Sequence, residues 1–195
     1  MIETDEFGWG LQRIGDICEI NPKKAKDFHL QSDCEVSFVP MSAVSEKGEI
    51  DATETKKYEE VKNGFTYFIE NDILFAKITP CMENGKGCVA TNLHNGIGFG
   101  STEFHVIRTS INVNPYWLYT VTTFKQFRKK AAANMTGSAG QRRVPTKFLE
   151  NYKLALPPIE LQNKFTDFVK QVDKSKFDCI KSIKYIERSL NYDKF

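Results

Sequence analysis

From Phe165 onward, side chains of one kind recur at alternating spacings of four and three residues. The positions are Phe165, Val169, Val172, Lys176, Cys179, Ile183, Ile186 and Leu190, and seven of the eight are apolar. A seam of this period predicts a coiled-coil helix. Pro157-Pro158 stands ahead of it. Proline is tolerated in the first turn of a helix and fixes its own φ, so the pair predicts a rigid corner. A helix over 158–190 would be roughly 50 Å long at 1.5 Å per residue, too long to lie wholly against the body before it. Leu161 and Phe168 are expected to anchor its base, and the far seam needs a partner helix. Lys176 in mid-seam either fixes register or turns its ammonium out to water. The chain is thus expected to divide into a body, 1–156, and a protruding helix, 157–195.

The body reads as strand-rich. Leu11, Ile14, Ile17 and Ile20 predict a first strand over 11–20, ended by Asn21-Pro22. Short β-branched and aromatic runs predict further strands over 35–40, 66–69, 73–76, 88–90, 103–108 and 152–156. Between them, 45–48 reads as a turn and 51–62 as loop or short helix. Asn114-Pro115 has the form of an N-cap followed by proline at the first helical position. The helix it opens is expected to carry Trp117, Val121, Phe124 and Phe127 on one face and Lys125, Arg128 and Lys129 on the other. Strands plus a few helices, with no internal repeat, predict an α+β fold.

A net charge of +2 conceals an uneven distribution. Residues 31–72 hold ten acidic and four basic side chains, whereas 121–155 hold eight basic side chains and the single acid Glu150. A basic segment in a nearly neutral protein is the footprint of a nucleic-acid surface. A solvated helix face, or a helix C-terminus, is the competing reading of Lys125, Arg128 and Lys129. With Arg142 and Arg143 clustered next door, a phosphate-facing surface that includes Lys125 and Lys129 leads. The five cysteines are odd in number and contain no C-x-x-C pair, which predicts reduced thiols and a cytoplasmic location. No apolar run reaches membrane-spanning length, and the acidic start is unlike a signal peptide.

Catalytic motifs fail one by one. Asn114-Pro-Tyr-Trp117 lacks the second proline of the adenine-methyltransferase signature and has no Gly-rich cofactor loop upstream. Glu54-Thr-Lys56 spells a common nuclease tripeptide, but Asp51 is too close to be its separate metal ligand. Asn84-Gly-Lys-Gly87 lacks the spacing and final Ser/Thr of a P-loop. His29, His94 and His105 are scattered, and His105 falls inside an expected strand. No cofactor or metal is expected, and no nucleophile meets a base.

Binding chemistry is better represented. Base edges are read by Arg or Lys at guanine and Asn or Gln at adenine. Gln141-Arg142-Arg143 offers these groups directly after the flexible run Gly137-Ser138-Ala-Gly140, where Ser138 can add a phosphate contact. A second polar loop carries Lys77, Thr79, Asn84 and Lys86, and Gly100-Ser101-Thr102 is a third. Each alone is an ordinary surface loop. Two adjacent arginines without a core role tip the balance towards contact.

Several stretches resemble the DNA-specificity subunits of type I restriction–modification systems. They are the Gly-Ser loop, the strand ending in Leu156-Pro-Pro158, and Ile159-Glu-Leu-Gln162 opening the long helix. Trp9-Gly-Leu-Gln-Arg-Ile-Gly-Asp-Ile17, Val39-Pro-Met-Ser-Ala-Val44 with Gly48-Glu-Ile50, and Asn71-Asp-Ile-Leu-Phe-Ala-Lys77 add to it. Where the family usually has Gly-Asp, this chain has Asn71-Asp72. The likeness covers nearly the whole chain once, whereas such a subunit carries two recognition domains and two helices. It implies double-stranded DNA as ligand, sequence recognition without chemistry, and a complex with methyltransferase subunits, which bring S-adenosylmethionine, and with a restriction subunit. In such a subunit the two helices of one chain pair antiparallel. As a natural half-length subunit, this chain is expected to recover that arrangement by pairing two copies through the helix seam as a homodimer. As one half of a longer chain, it would pair with that chain's second helix. Two other classes remain open: a nuclease or adenine methyltransferase with an unrecognised site, and a dimeric protein binding another polyanion.

Overall fold

The computed structural model describes residues 3–25, 28–50, 54–138 and 140–192, and in the last helix the side chains as far as Ser182 except Phe177 and Ile180. Its centre is a four-stranded antiparallel sheet in the order β2 (Cys18–Ile20), β9 (Phe104–Thr109), β6 (Ile73–Ala76), β7 (Gly87–Val89). All four residues of β6 are buried, and the continuous apolar run is what a strand covered on both faces requires. Side chains alternate across a strand. So Ile73, Phe75, Val89 and Ile107 enter the main core with the helices, while Leu74, Ala76, Cys88, Phe104 and Val106 enter a second core on the other face.

That second core is closed by another four-stranded sheet: β4 (Glu54–Lys57), β3 (Glu35–Val39), β8 (Ile97–Gly100), β5 (Thr66–Ile69). β3 and β8 run parallel and the other pairs antiparallel. On its outer face Val36, Phe38 and Phe99 pack with Val61 of the short helix α2 (Tyr58–Val61). The helical layer over the central sheet consists of α3 (Pro115–Thr123), α4 (Lys125–Ala133) and α5 (Thr146–Asn151), built around Trp117, Leu118, Phe127 and Leu149. Finally β1 (Leu11–Arg13) pairs with β10 (Lys153–Ala155), which ties the start of the body to the strand before the Pro-Pro corner.

The α+β expectation holds, and four details depart from the sequence reading. The first strand is interrupted by one helical turn, α1 (Ile14–Ile17), which buries Ile14. Part of the stretch expected as loop is the edge strand β4. The segment 97–100, not among the expected strands, forms β8, which takes in Gly100 of the expected third loop. A Cβ at Gly98 would penetrate the Phe68 ring, and one at Gly100 would strike the Val39 carbonyl. The single helix expected from Asn114 is two, broken at Phe124, whose φ and ψ of −62° and 137° are extended and whose ring is exposed.

Asn114 does cap α3, its Oδ1 accepting from the backbone N–H groups of Tyr116 and Trp117 at 2.9 and 3.1 Å. Asn71 has a φ of 69°, a region that asparagine enters more readily than other side-chain-bearing residues. That is how it stands where the resembled family has glycine. Asp72 beside it is buried, accepts from Ile69 N, and takes Nε and Nη2 of Arg108 at 2.9 and 2.7 Å.

The last helix, α6 (Ile159–Tyr192), has 34 residues and is thus about 50 Å long. From Asp173 to Ser182 every described side chain is exposed, so the helix leaves the body. Its anchor differs from expectation. Leu161 and Phe168 are 43% and 63% exposed, while the polar Gln162 and Thr166 are buried. Gln162 Oε1 accepts from Asn114 N, and its Nε2 donates to the carbonyls of Asn112 and Pro157. Those backbone groups sit where the chain bends and have no ladder to join, which is why a glutamine serves there and leucine cannot.

Candidate nucleic-acid interface

The three polar loops singled out in the sequence are hydrogen-bonded into one surface. Loop 77–86 leaves β6, the 101–103 turn joins β8 to β9, and 136–144 links α4 to α5. Lys77 N donates to Glu103 O at 2.9 Å, Thr79 N to Arg142 O at 3.0 Å, and Val144 N to Lys77 O at 2.9 Å. Arg143 forms isolated bridges with Ile78 on one side and Thr136 on the other, so the third loop is a short irregular hairpin laid against the first. Gly137, with φ of 115°, lets that hairpin turn; a Cβ there would press on Gln141 O.

Beneath the loops lies His105. It is buried, and its Nε2 is 2.7 Å from Val144 O, a pure acceptor, so Nε2 carries the proton. Nδ1 then accepts from Asn21 Nδ2 at 3.1 Å. Burial pushes its pKa below the usual imidazole value, and the ring is a neutral strut under the hairpin.

The predicted site residues divide in two. Asn84, Ser138 and Gln141 are exposed, and neither amide side chain bonds to another described residue. Lys77 is half-buried beside Glu103, and desolvation lowers its pKa. The others are engaged within the protein. Thr79 Oγ1 donates to Glu83, and Lys86 Nζ to Met41 O at 3.3 Å. Arg142 Nη2 donates to the carbonyls of Ala132 and Met135, at the C-terminal end of α4, where cations are favoured. Arg143 is held by Glu103, through Nε at 2.9 Å and Nη2 at 2.7 Å. The two arginines thus have structural partners that sequence reasoning did not foresee. Glu103 was missed because one acid in a strand-leading turn carries no pattern.

On α4, Lys125 and Lys129 are exposed, and no ion-pair partner for either occurs among the described residues. Arg128, expected on the same polar face, is instead buried, with Nε, Nη1 and Nη2 donating to Thr122 O, Met82 O and Gly85 O. Its guanidinium lies 4.5 Å from the Phe75 ring centroid. The break at Phe124 turns that position inward, and three carbonyls of adjoining turns need a donor. Among the catalytic motifs, Asn114 is occupied as a cap and Glu54 sits beside Lys56 on an exposed edge strand, at 3.7 Å; Asp51 lies outside the described residues. No group of three His, Cys, Asp or Glu residues able to hold a metal occurs among the described residues. All five cysteines are free, and burial pushes the Cys18 and Cys88 thiols up to about 12.

On α6 the described part of the expected seam is open to solvent to different degrees. Phe165 is 36% exposed, Val169 and Val172 are half-buried, and Lys176 and Cys179 are exposed. The side chains of Ile183, Ile186 and Leu190 lie outside the described residues. The exposed Leu161, Phe165 and Phe168 follow one another at spacings of four and three, so they extend an apolar stripe back to the corner itself.

Two stacked sheets under a helical layer, polar loops knitted together and a long arm beyond a Pro-Pro corner define the class: an α+β domain with a projecting helix. The chain belongs to the family described as the type I restriction modification DNA specificity domain, which matches residues 7–188. It is similar to the specificity subunit of the type I restriction enzyme EcoAI of Escherichia coli, with 39% identity over 184 residues, 90% of this chain and 30% of that subunit. The EcoEI specificity subunit, also of Escherichia coli, is 42% identical over 154 residues, 77% of this chain and 25% of that one. The chain therefore spans about a third or less of these curated relatives. Among solved structures, the HsdS subunit from Thermoanaerobacter tengcongensis shares the fold, with a TM-score of 0.69 and 19% identity over 88% of this chain and 44% of that one.

Proposed function

We propose that the chain recognises a specific double-stranded DNA sequence, without chemistry of its own, and directs the methyltransferase and restriction subunits of a type I restriction–modification complex to it. The observation that carries this is the union of three polar loops into one surface offering the exposed side chains of Asn84, Ser138 and Gln141 beside Lys77 and Arg143. Such groups are what base edges and phosphates accept. The specificity subunits among its relatives support the same reading. In it, residues 1–156 are the recognition domain and 157–195 the arm. Lys125 and Lys129 extend the phosphate-facing surface, and Thr79, Lys86 and Arg142 hold the loops in shape. As half-length subunits, two copies would pair their seams as a homodimer; the cofactor S-adenosylmethionine belongs to the methyltransferase partners, and the complex works in the cytoplasm.

Selection of bound duplexes from a random DNA pool tests the reading. Saturable preference for one sequence, with affinity falling steeply as salt rises, is expected. Lys129→Ala should weaken all duplexes alike and flatten the salt slope slightly. Supplied with Mg²⁺, S-adenosylmethionine or ATP, the isolated chain should neither cut, methylate nor hydrolyse. Binding that saturates with no sequence preference, or cleavage that disappears with Glu54→Ala, would overturn the reading.

A further inference from the structure

We propose that Arg143 is a guanine-reading side chain and that Glu103 is its positioning residue, clamping the guanidinium in one plane. The inference deepens the proposed function and rests on it. Arginine has five N–H donors. Nε faces both carboxylate oxygens of Glu103, at 3.2 and 2.9 Å, Nη2 donates to Oε1 at 2.7 Å, and Nη1 donates to Gln141 O at 2.8 Å. That leaves one N–H on each terminal nitrogen. Two donors fixed in one plane match the O6 and N7 acceptors on the major-groove edge of guanine.

The backbone beneath is fixed equally firmly. Arg143 N donates to Thr136 O at 2.8 Å, and its own carbonyl accepts from Thr136 N at 3.0 Å. The next carbonyl, of Val144, accepts from buried His105, and Val144 N donates to Lys77 O. A side chain held at both ends loses little freedom on binding, and discrimination depends on that. The same clamp argues against a phosphate role. The Glu103 carboxylate cancels most of the charge that a phosphate would seek, and the guanidinium lowers the carboxyl pKa so that the pair stays ionised. The Arg143 side chain nonetheless remains 40% exposed, open to a ligand.

The test uses the 195-residue chain, with thermal unfolding of each variant as a control on folding. Sequences selected by the wild type should contain a guanine at which Arg143→Ala and Arg143→Lys each lose about tenfold or more in discrimination. Glu103→Ala should relax the same position while total affinity at low salt holds or rises, because a negative charge has been removed. Replacing that guanine by 7-deazaguanine, which lacks the N7 acceptor, should weaken the wild type by about fivefold or more and leave Arg143→Ala unaffected. Should Arg143→Ala unfold, a 7-deazaguanine scan of the selected site with the wild type and Glu103→Ala decides alone. No guanine sensitive in the first and insensitive in the second would end the proposal. Uniform weakening on all sequences would make Arg143 a phosphate contact. Unchanged binding would make the pair structural. Both outcomes leave sequence recognition standing, whereas a wild type without sequence preference removes recognition itself.

Discussion

Arg128 and His105 are both buried polar groups, and both serve the backbone. Arg128 supplies donors to three carbonyls from two turns, and burial lowers its pKa to about 10, so it remains a cation at neutral pH. Arg128→Ala would strand those carbonyls and empty the space against Phe75, at a cost on the order of 3 kcal/mol. Lysine, with one nitrogen in place of three, should recover less than half of it; denaturant unfolding of the three proteins checks this. His105 adds a pH dependence. Its folded pKa lies below the ordinary 6.5 because burial disfavours the imidazolium. Between the two pKa values the unfolded chain binds the proton and the folded one does not, so stability present above about pH 6.5 is lost as pH falls. The melting temperature of the wild type should therefore drop on acidification from pH 7 towards 5, and less so in His105→Gln. The carboxyl of Glu103, which Arg143 holds below the usual carboxylate range, adds its own loss only at still lower pH. An equal drop in both proteins would show that the imidazole is not the group responsible.

Elements of the fold are coupled at two joints. One is the join of α6 to α3, made by Gln162 and by Asn114, whose Nδ2 also donates to Asn163 Oδ1 at 2.8 Å. Gln162→Leu keeps the bulk and leaves Asn114 N and the Asn112 and Pro157 carbonyls without partners. A loss of roughly 2–3 kcal/mol is expected. The amide protons of 159–166 should then exchange faster while those of β6 and β9 keep their order of protection. Uniform loss of protection across the body would mean that the join supports the whole domain. The other joint is the irregular hairpin of 136–144 lying on loop 77–86. It is specified by paired backbone groups rather than by an apolar pattern, which is why each loop was visible in the sequence while their union was not. β8 escaped notice for a related reason. Its two glycines accommodate Phe68 and Val39, neighbours distant in sequence, so the reason for glycine in this strand is not local.

For the molecule as a whole, the acidic stretch 31–72 contributes most of the outer sheet and α2, and the basic stretch 121–155 contributes α4, α5 and the hairpin on the far side of the central sheet. The two stretches thus lie mainly in different layers, although the 45–49 turn of the acidic one reaches Tyr119 of α3. Part of the basic excess is spent internally, on Arg128 and on the pairs Lys130–Glu3 and Arg143–Glu103, so the outward field is smaller than the sequence count. The exposed arm bears on assembly. In the proposed dimer two seams pair, and a two-fold protein reads two identical half-sites separated by spacer bases. Ile183→Asp, with the side chain outside the described residues, should leave a folded monomer that binds DNA far more weakly. Light scattering on both proteins at micromolar concentration decides it. A monomeric wild type would assign the stripe from Leu161 onward to the helix of a second recognition domain or to another protein.

Read alone, the amino-acid order already contains the α+β class, the Pro-Pro corner, the long helix, the Asn114 cap and the three polar loops. Each depends on neighbours in sequence: period, capping chemistry and turn residues act over a few positions. Tertiary structure alone decided that Arg128 turns inward, that glutamine rather than leucine anchors the arm, that Arg142 caps a helix and that Glu103 clasps Arg143. Those outcomes depend on which backbone carbonyls and charges lie unpaired beside a side chain after distant segments have packed. A buried unpaired polar group is costly enough to overrule any local preference.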